Sequence, residues 1–157
     1  MAVAERTRAQ ADALRLPGAR AVVDEEKVVP MPLPMVRRLV RDVAAWPVWD
    51  PYVVESRLLS GKEGSEGMVH EVTVGVPAFN RAFVQMLVAA SPNETVFGGG
   101  RGRELRFIDR IGLADRGEAT LVRRRLEIHL GGRLARLRRP IRALARAYVR
   151  RSLDALT

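Results

Sequence analysis

The last stretch of the chain, residues 133–156, constrains the fold more than any other. On a 3.6-residue period its apolar side chains fall on one face and its arginines on the opposite face. The apolar face consists of Leu134, Leu137, Ile141, Leu144, Ala145 and Tyr148, and the basic face of Arg139, Arg142, Arg146 and Arg150. We predict a long amphipathic helix whose apolar face is covered by the rest of the chain. Pro140 cannot donate a backbone hydrogen bond, so the helix kinks or begins there.

The basic face of this helix has three interpretations: a nucleic-acid site, a peripheral contact with an anionic membrane, or the solvated face of a docked helix. The net charge is +9, and the chain has 25 Arg against 2 Lys. Arginine is therefore abundant everywhere, which favours the solvated face. Nucleic acid is the least favoured partner, and membrane contact remains open.

The composition restricts the chemistry. A chain of 157 residues with 47% hydrophobic residues can bury one core, which predicts one domain. The absence of cysteine and the presence of only 2 histidines argue against a disulfide framework, a thiolate nucleophile and a histidine metal site, so we expect no metal and no cofactor. The first 18 residues lack an apolar signal core, and no later stretch is apolar for long enough to span a membrane. We expect a cytoplasmic protein.

The element order follows from periodicity and turn residues. Residues 1–19 are an N-terminal extension, helical over 4–16 or disordered, and 20–157 form the domain. A strand over 21–29 ends at a proline-rich segment, a helix covers 35–43, and two tryptophans and two prolines make a compact second turn over 46–51. Strands with period two follow at 53–59, 68–76, 81–90, 95–99, 103–113 and 119–130. The short connections between them predict antiparallel neighbours and an α+β domain.

This order resembles the helix-grip (Bet v 1-like) fold of the START-like, or SRPBCC, superfamily, which includes polyketide cyclases and dehydratases. The local match is the first strand and its prolines at 28–32, the helix with Val36, Leu39 and Val40, and the tryptophan corner at 46–51. The resemblance covers residues 20–156 and implies a seven-stranded curved antiparallel sheet around the C-terminal helix, with two short helices after the first strand. It also implies a cavity between sheet and helix for an apolar small molecule.

Strand alternation predicts which side chains face that cavity. The more apolar face of the strand over 68–76 includes His70, that of 103–113 includes Asp109, and that of 119–130 includes Arg124. If Leu113 pairs with Thr120, Asp109 lies opposite Arg124. Two opposed charges on an apolar face need a partner or a ligand.

The functional interpretation makes these three polar residues catalytic. Arg124 would hold a carbonyl or enolate oxygen of a poly-β-keto chain, and His70 or Asp109 would exchange a proton. The predicted ligand-binding residues are Trp49, Met68, Val72, Met86, Phe107, Val122, Leu126, Leu144 and Tyr148.

Two alternatives stay open. Asp109 and Arg124 can form a structural ion pair, with His70 an ordinary core histidine. The protein can also be a non-catalytic carrier or sensor of a lipid or quinone, because no compelling catalytic motif is present. The sequence leaves monomer and homodimer equally open.

Overall fold

The structure, a computed structural model, describes residues 19–76 and 79–157. The predicted N-terminal helix over 4–16 lies outside the described residues. Seven strands are present: β1 Ala19–Val29, β2 Val53–Ser60, β3 Val69–Val76, β4 Phe79–Ser91, β5 Glu94–Arg101, β6 Leu105–Asp115 and β7 Thr120–Leu130. They form one antiparallel sheet in the order β1-β7-β6-β5-β4-β3-β2. The predicted α+β helix-grip architecture is confirmed.

A helical corner connects β1 to β2. It comprises α1 (Leu33–Arg41), a 3₁₀ turn (Val43–Ala45) and α2 (Trp46–Trp49). Prolines stand at the start of both helices, where a missing N–H costs nothing. The buried Trp46 donates its indole N–H to the Val40 carbonyl at 3.2 Å and meets Phe97 edge to face, with ring centroids 5.2 Å apart. The corner is therefore packed onto the inner face of the sheet at β5.

The C-terminal helix begins where Pro140 predicts. A 3₁₀ segment (Gly132–Leu137) leads into α3 (Arg138–Ala155), so Pro140 lies in the first turn of the helix. The predicted apolar face is partly wrong, because Leu137 and Leu144 are 48% and 58% exposed. The buried face consists of Ala145, Val149, Ser152 and Leu153. Leu144 lies about 100° around the helix from Ala145, at the edge of the buried face rather than at its centre.

Several arginines of α3 hold the helix on β1. Arg142 donates to the Val22 carbonyl at 3.0 Å, and Arg146 and Arg150 both bind the Glu25 carboxylate, at 3.4 and 3.2 Å. Lys27 of β1 also binds Asp154 at 2.6 Å. Part of the basic face is therefore engaged in packing the helix. Within residues 19–76 and 79–157, no helix is long and apolar enough to cross a membrane.

The predicted pairing of β6 with β7 is wrong by two residues. Leu113 pairs with Val122 instead of Thr120, and Asp109 therefore pairs with Leu126. A shift of two residues preserves the face on which each side chain lies. Asp109 and Arg124 consequently remain on the same inner face, as diagonal rather than direct neighbours.

Two other side chains differ from expectation. Met86, a predicted ligand contact, is 42% exposed, because Gln85 and Leu87 are the β4 residues that point inward. Apolar residues occupy both faces of β4, so alternation alone does not select one. His129 lies on the face opposite Arg124, which alternation assigns to solvent, yet it is only 8% exposed.

Candidate functional site

A buried ion pair lies on the inner face of β6 and β7. Arg124 Nε is 3.1 Å from each carboxylate oxygen of Asp109, and Arg124 Nη2 is 2.6 Å from Oδ2. Both side chains are only 6% exposed. The sheet places the two residues on neighbouring strands, and their shared face brings them together. The prediction that these two charges meet inside the fold is confirmed.

Tyr148 of α3 closes over this pair. Arg124 Nη2 donates to the Tyr148 hydroxyl at 3.3 Å, and the guanidinium carbon lies 4.9 Å from the ring centroid. Burial alone would lower the pKa of Arg124, but Asp109, with Tyr148 and Asp50, raises that pKa well above its ordinary value. Arg124 is therefore a permanent buried cation that links the sheet to the gripping helix.

Sequence reasoning assigned Asp50 to the tryptophan corner, and the structure gives it a second partner. Asp50 is 3% exposed, accepts the Tyr52 backbone N–H at 2.9 Å, and accepts the Ser152 hydroxyl of α3 at 2.7 Å. The corner bond agrees with expectation. The bond to Ser152 has no local sequence signal, because the two residues are far apart in the chain.

A small cavity adjoins these groups. It is lined by Val40, Trp46, Trp49, Asp50, Ile111 and Arg124, and its volume is about 10 Å³. Such a space holds about one water molecule. The indole N–H of Trp49 is buried and has no hydrogen-bond partner among the described residues. Trp49, with its unpartnered donor, and Arg124 therefore line the same cavity.

The third predicted catalytic residue, His70, lies elsewhere on the inner face. Its side chain is 1% exposed, and Nε2 lies 2.9 Å from Glu63 Oε2 in the β2–β3 connection. Strands β4 and β5 separate β3 from β6, a distance of roughly 14 Å between the strands that carry His70 and Asp109. The structure thus brings Asp109 and Arg124 together without His70.

The other predicted ligand-binding residues occupy different environments. Met68, Val72, Val122 and Leu126 are buried in the core. Phe107 is partly buried and meets Phe83 edge to face at 6.3 Å, and Tyr148 meets Tyr52 at 5.5 Å. Leu144 lies on the Tyr148 side of α3 and is exposed. These partly exposed apolar side chains continue the inner face outward from the buried pair.

Comparisons with known proteins agree with this architecture. A family model described as "Polyketide cyclase / dehydrase and lipid transport" matches residues 20–157. The chain belongs to this family. Membership of the START-like superfamily is thereby confirmed. No curated protein matches the chain in sequence.

Solved structures show the same fold at low sequence identity. An aromatase/cyclase from Streptomyces sp. R1128 is 11% identical, with a TM-score of 0.77 over 87% of this chain and 91% of that chain. A START superfamily protein from Mycobacterium smegmatis is 16% identical, with a TM-score of 0.74 over 86% and 93%. Truncated norcoclaurine synthase from Thalictrum flavum is 13% identical, with a TM-score of 0.67 over 90% and 94%. At these low identities, the structural similarity shows the fold alone.

We next consider whether the described residues form a metal-binding group. Within residues 19–76 and 79–157, no group of three or more His, Cys, Asp or Glu side chains could hold an ion. The chemistry available at the inner face is that of carboxylates, a guanidinium, a phenol, an indole and a histidine.

The pKa of Tyr148 gives a testable pH dependence. Burial raises this pKa above its ordinary value of 10.0, and nearby Asp50 and Asp109 add to the rise while Arg124 opposes it. The stabilisation linked to the neutral phenol is therefore full below about pH 10 and is lost as the pH rises through the folded-state pKa. We expect Tyr148→Phe to flatten the alkaline decline in the free energy of unfolding. In an ultraviolet titration, the tyrosinate absorbance that appears at the highest pH in the wild-type protein should be missing from this variant. An unchanged titration would contradict the assignment.

Proposed function

We propose that this protein binds a hydrophobic, polyketide-like small molecule between the sheet and α3, and catalyses a cofactor-independent cyclisation or dehydration. The observation that carries the proposal is the small cavity beside the buried Asp109–Arg124 pair. Arg124 and Trp49, whose N–H has no partner among the described residues, both line it. An apolar pocket with a few convergent polar groups is the usual form of such a site. Family membership and the likeness to an aromatase/cyclase support the same reaction class.

Each polar residue has a distinct role in this proposal. Arg124 and Trp49 hold a carbonyl oxygen at one end of the ligand and fix its position. Both oxygens of Asp109 accept bonds from Arg124, so Asp109 orients the guanidinium. His70 lies on a strand roughly 14 Å away, so it exchanges protons at the other end of the ligand. For cyclisation, His70 takes a proton from a carbon between two carbonyls, that carbon attacks a nearby carbonyl carbon of the same chain, and His70 returns the proton to the alkoxide, which becomes a hydroxyl. For dehydration, His70 takes the proton beside a carbonyl and passes it to the hydroxyl on the next carbon, so that a carbon–carbon double bond forms, the carbon–oxygen bond breaks and water leaves.

Ligand entry requires the interior to open, because a cavity of about 10 Å³ excludes a ring system. The first turns of α3 are the part best suited to move. Of residues 138–144 only Ile141 is partly buried, whereas Val149, Ser152 and Leu153 anchor the other end. The exposed Leu144 lies on the moving part. An elongated apolar ligand would enter beneath this half of the helix.

A carrier of lipids or quinones is the second candidate. It is favoured by the bonds of Arg124 Nε and Nη2 to Asp109 and by the distance of His70 from that pair. In this case Arg124, Tyr148 and Trp49 would orient a ligand oxygen without any reaction. Both candidates use the same interior and differ only in turnover.

The first experiment is native mass spectrometry of the purified protein, together with mass spectrometry of its organic extract. A stoichiometric lipid or quinone would favour the carrier. Conversion of a linear poly-β-ketone thioester to a cyclised product would favour the enzyme.

Variants of Trp49, which lines the cavity, and of Tyr148, which contacts Arg124, then test the site. Trp49→Phe removes a donor that has no partner among the residues the structure describes, so stability should change little, while binding of the thioester should weaken about fivefold for one lost hydrogen bond. Tyr148→Phe should weaken it similarly, with Tyr52→Phe as the matched control. Unchanged binding and turnover in both variants would remove this cavity from consideration.

A further inference from the structure

A second group of polar side chains lies on the inner face, at the β2–β4 side of the sheet. It consists of Glu63, His70 and Gln85, which we call the second polar site. His70 and Gln85 are direct cross-strand partners on β3 and β4. Partners of this kind have Cβ atoms about 5 Å apart and point to the same face. Glu63 reaches the same place from the β2–β3 connection through its bond to His70.

The second polar site contains unused hydrogen-bonding atoms. Gln85 is 6% exposed, and its Nε2 is buried with no hydrogen-bond partner among the described residues. Within residues 19–76 and 79–157, Glu63 Oε1 is likewise buried without a partner, although the other carboxylate oxygen binds His70. Buried polar atoms are nearly always paired in folded proteins, because an unpaired one costs free energy. An unpaired donor and an unpaired acceptor around one histidine therefore call for a functional explanation.

The chemistry of the two unused atoms defines the missing partner. The Gln85 amide donates a hydrogen bond, and the Glu63 carboxylate accepts one. A hydroxyl group satisfies both at once, since it accepts through its oxygen and donates through its hydrogen. A carbonyl would satisfy only Gln85, and a second carboxylate would be repelled by Glu63.

The position of the site relative to Arg124 defines the shape of the ligand. Gln85 lies on β4, Asp109 on β6, and only β5 separates these strands. Between them the inner face carries Phe97 and Phe107, which are apolar. A ligand that reaches both polar places is therefore an elongated molecule with an apolar middle and an oxygen at each end.

We propose that Gln85 and Glu63 bind a hydroxyl of the ligand whose other oxygen is held at Arg124 and Trp49. This inference rests on the proposed function, because it uses the same interior. It specifies an elongated ligand with a hydroxyl at the His70 end and an oxygen at the Arg124 end. His70 then lies beside the ligand's hydroxyl, where its proton exchange is useful.

The test compares two probes, decanediol and decanol, which share one terminal hydroxyl and differ in the second. Binding is measured by displacement of anilinonaphthalene sulfonate from the full chain. We expect the wild-type protein to bind decanediol about fivefold more tightly than decanol, because one further hydrogen bond forms. In Gln85→Leu this preference should vanish while decanol binding is retained. Met86→Leu, the neighbouring residue on the outer face, should keep the preference.

Stability provides an independent readout. Gln85→Leu removes an unpaired buried amide and retains side-chain volume, so its Tm should rise by about 2–4 °C. A fall in Tm would show that Gln85 is satisfied within the fold and would overturn the proposal. Glu63 lies in a partly exposed loop, and Glu63→Leu, which removes the acceptor, serves as the second variant with the same expected loss of preference.

The outcomes separate the two proposals. Normal decanol binding without a preference for decanediol in the wild-type protein would overturn the second polar site and leave the proposed function standing. Failure of the wild-type protein to bind either alcohol would overturn both. A preference that survives both substitutions would show that the second hydroxyl binds elsewhere.

Discussion

Arg124→Met is expected to lower the free energy of unfolding by about 3–5 kcal/mol, because it leaves the Asp109 carboxylate buried without its cation. Asp109 is 6% exposed at the side chain and receives three bonds from this one guanidinium. Urea denaturation followed by circular dichroism measures the loss. Methionine fills much of the vacated volume, so the effect reports the charge rather than a cavity.

The neighbouring arginine is the matched control. Arg123 lies on the outer face of β7 and pairs with Asp24 at 2.7 Å with 63% of its side chain exposed. Exposed ion pairs contribute little, so Arg123→Met should lower the free energy of unfolding far less than Arg124→Met does. The double variant Asp109→Leu with Arg124→Met should recover most of the stability lost in Arg124→Met. A double variant as unstable as the single one would show that the pair's charges are not the cause.

Phe97→Ala is expected to cost about 3–5 kcal/mol, because it empties a ring-sized volume at the centre of the core. Phe97 is 1% exposed and supports Trp46, so its loss also loosens the corner that carries Trp49 and Asp50. Thermal and urea unfolding should both report the change. Reduced anilinonaphthalene sulfonate displacement by decanol is expected to accompany it, since Trp49 lines the cavity.

A second phenylalanine separates stability from binding. Phe83 lies on the inner face, is partly buried, and meets Phe107 edge to face. Phe83→Ala should therefore cost less stability than Phe97→Ala and still weaken decanol binding. Equal losses of stability in the two variants would contradict the placement of Phe97 at the centre of the core.

The strands and their faces follow from sequence because alternation is a local property. Asp109 and Arg124 were placed together on an inner face by parity, and a pairing error of two residues left that result intact. Parity is insensitive to shifts of two residues, which is why the site survived the error. Alternation fails in β4, where apolar residues occupy both faces and Met86 was wrongly placed inside.

Contacts between distant elements could not be predicted in this way. The bond from Ser152 to Asp50 depends on how far α3 lies along the sheet, which no local pattern encodes. Leu144 was misplaced because the apolar stripe of α3 is wider than the face that β1 covers. The unpaired atom of Gln85 likewise emerges only when its neighbours are known.

The pairing of β1 with β7 shapes how the polypeptide folds as it leaves the ribosome. Among the described strands, β1 lies at the edge of the sheet and pairs with β7, from Ala19 opposite Leu130 to Val29 opposite Thr120. Strands β2 to β6 are all synthesised before the partner of β1 exists. Such an edge is a template for pairing with other chains, and long-range pairing closes slowly. The nascent chain is therefore vulnerable to aggregation until β7 emerges, and chaperone dependence should be greatest in that interval.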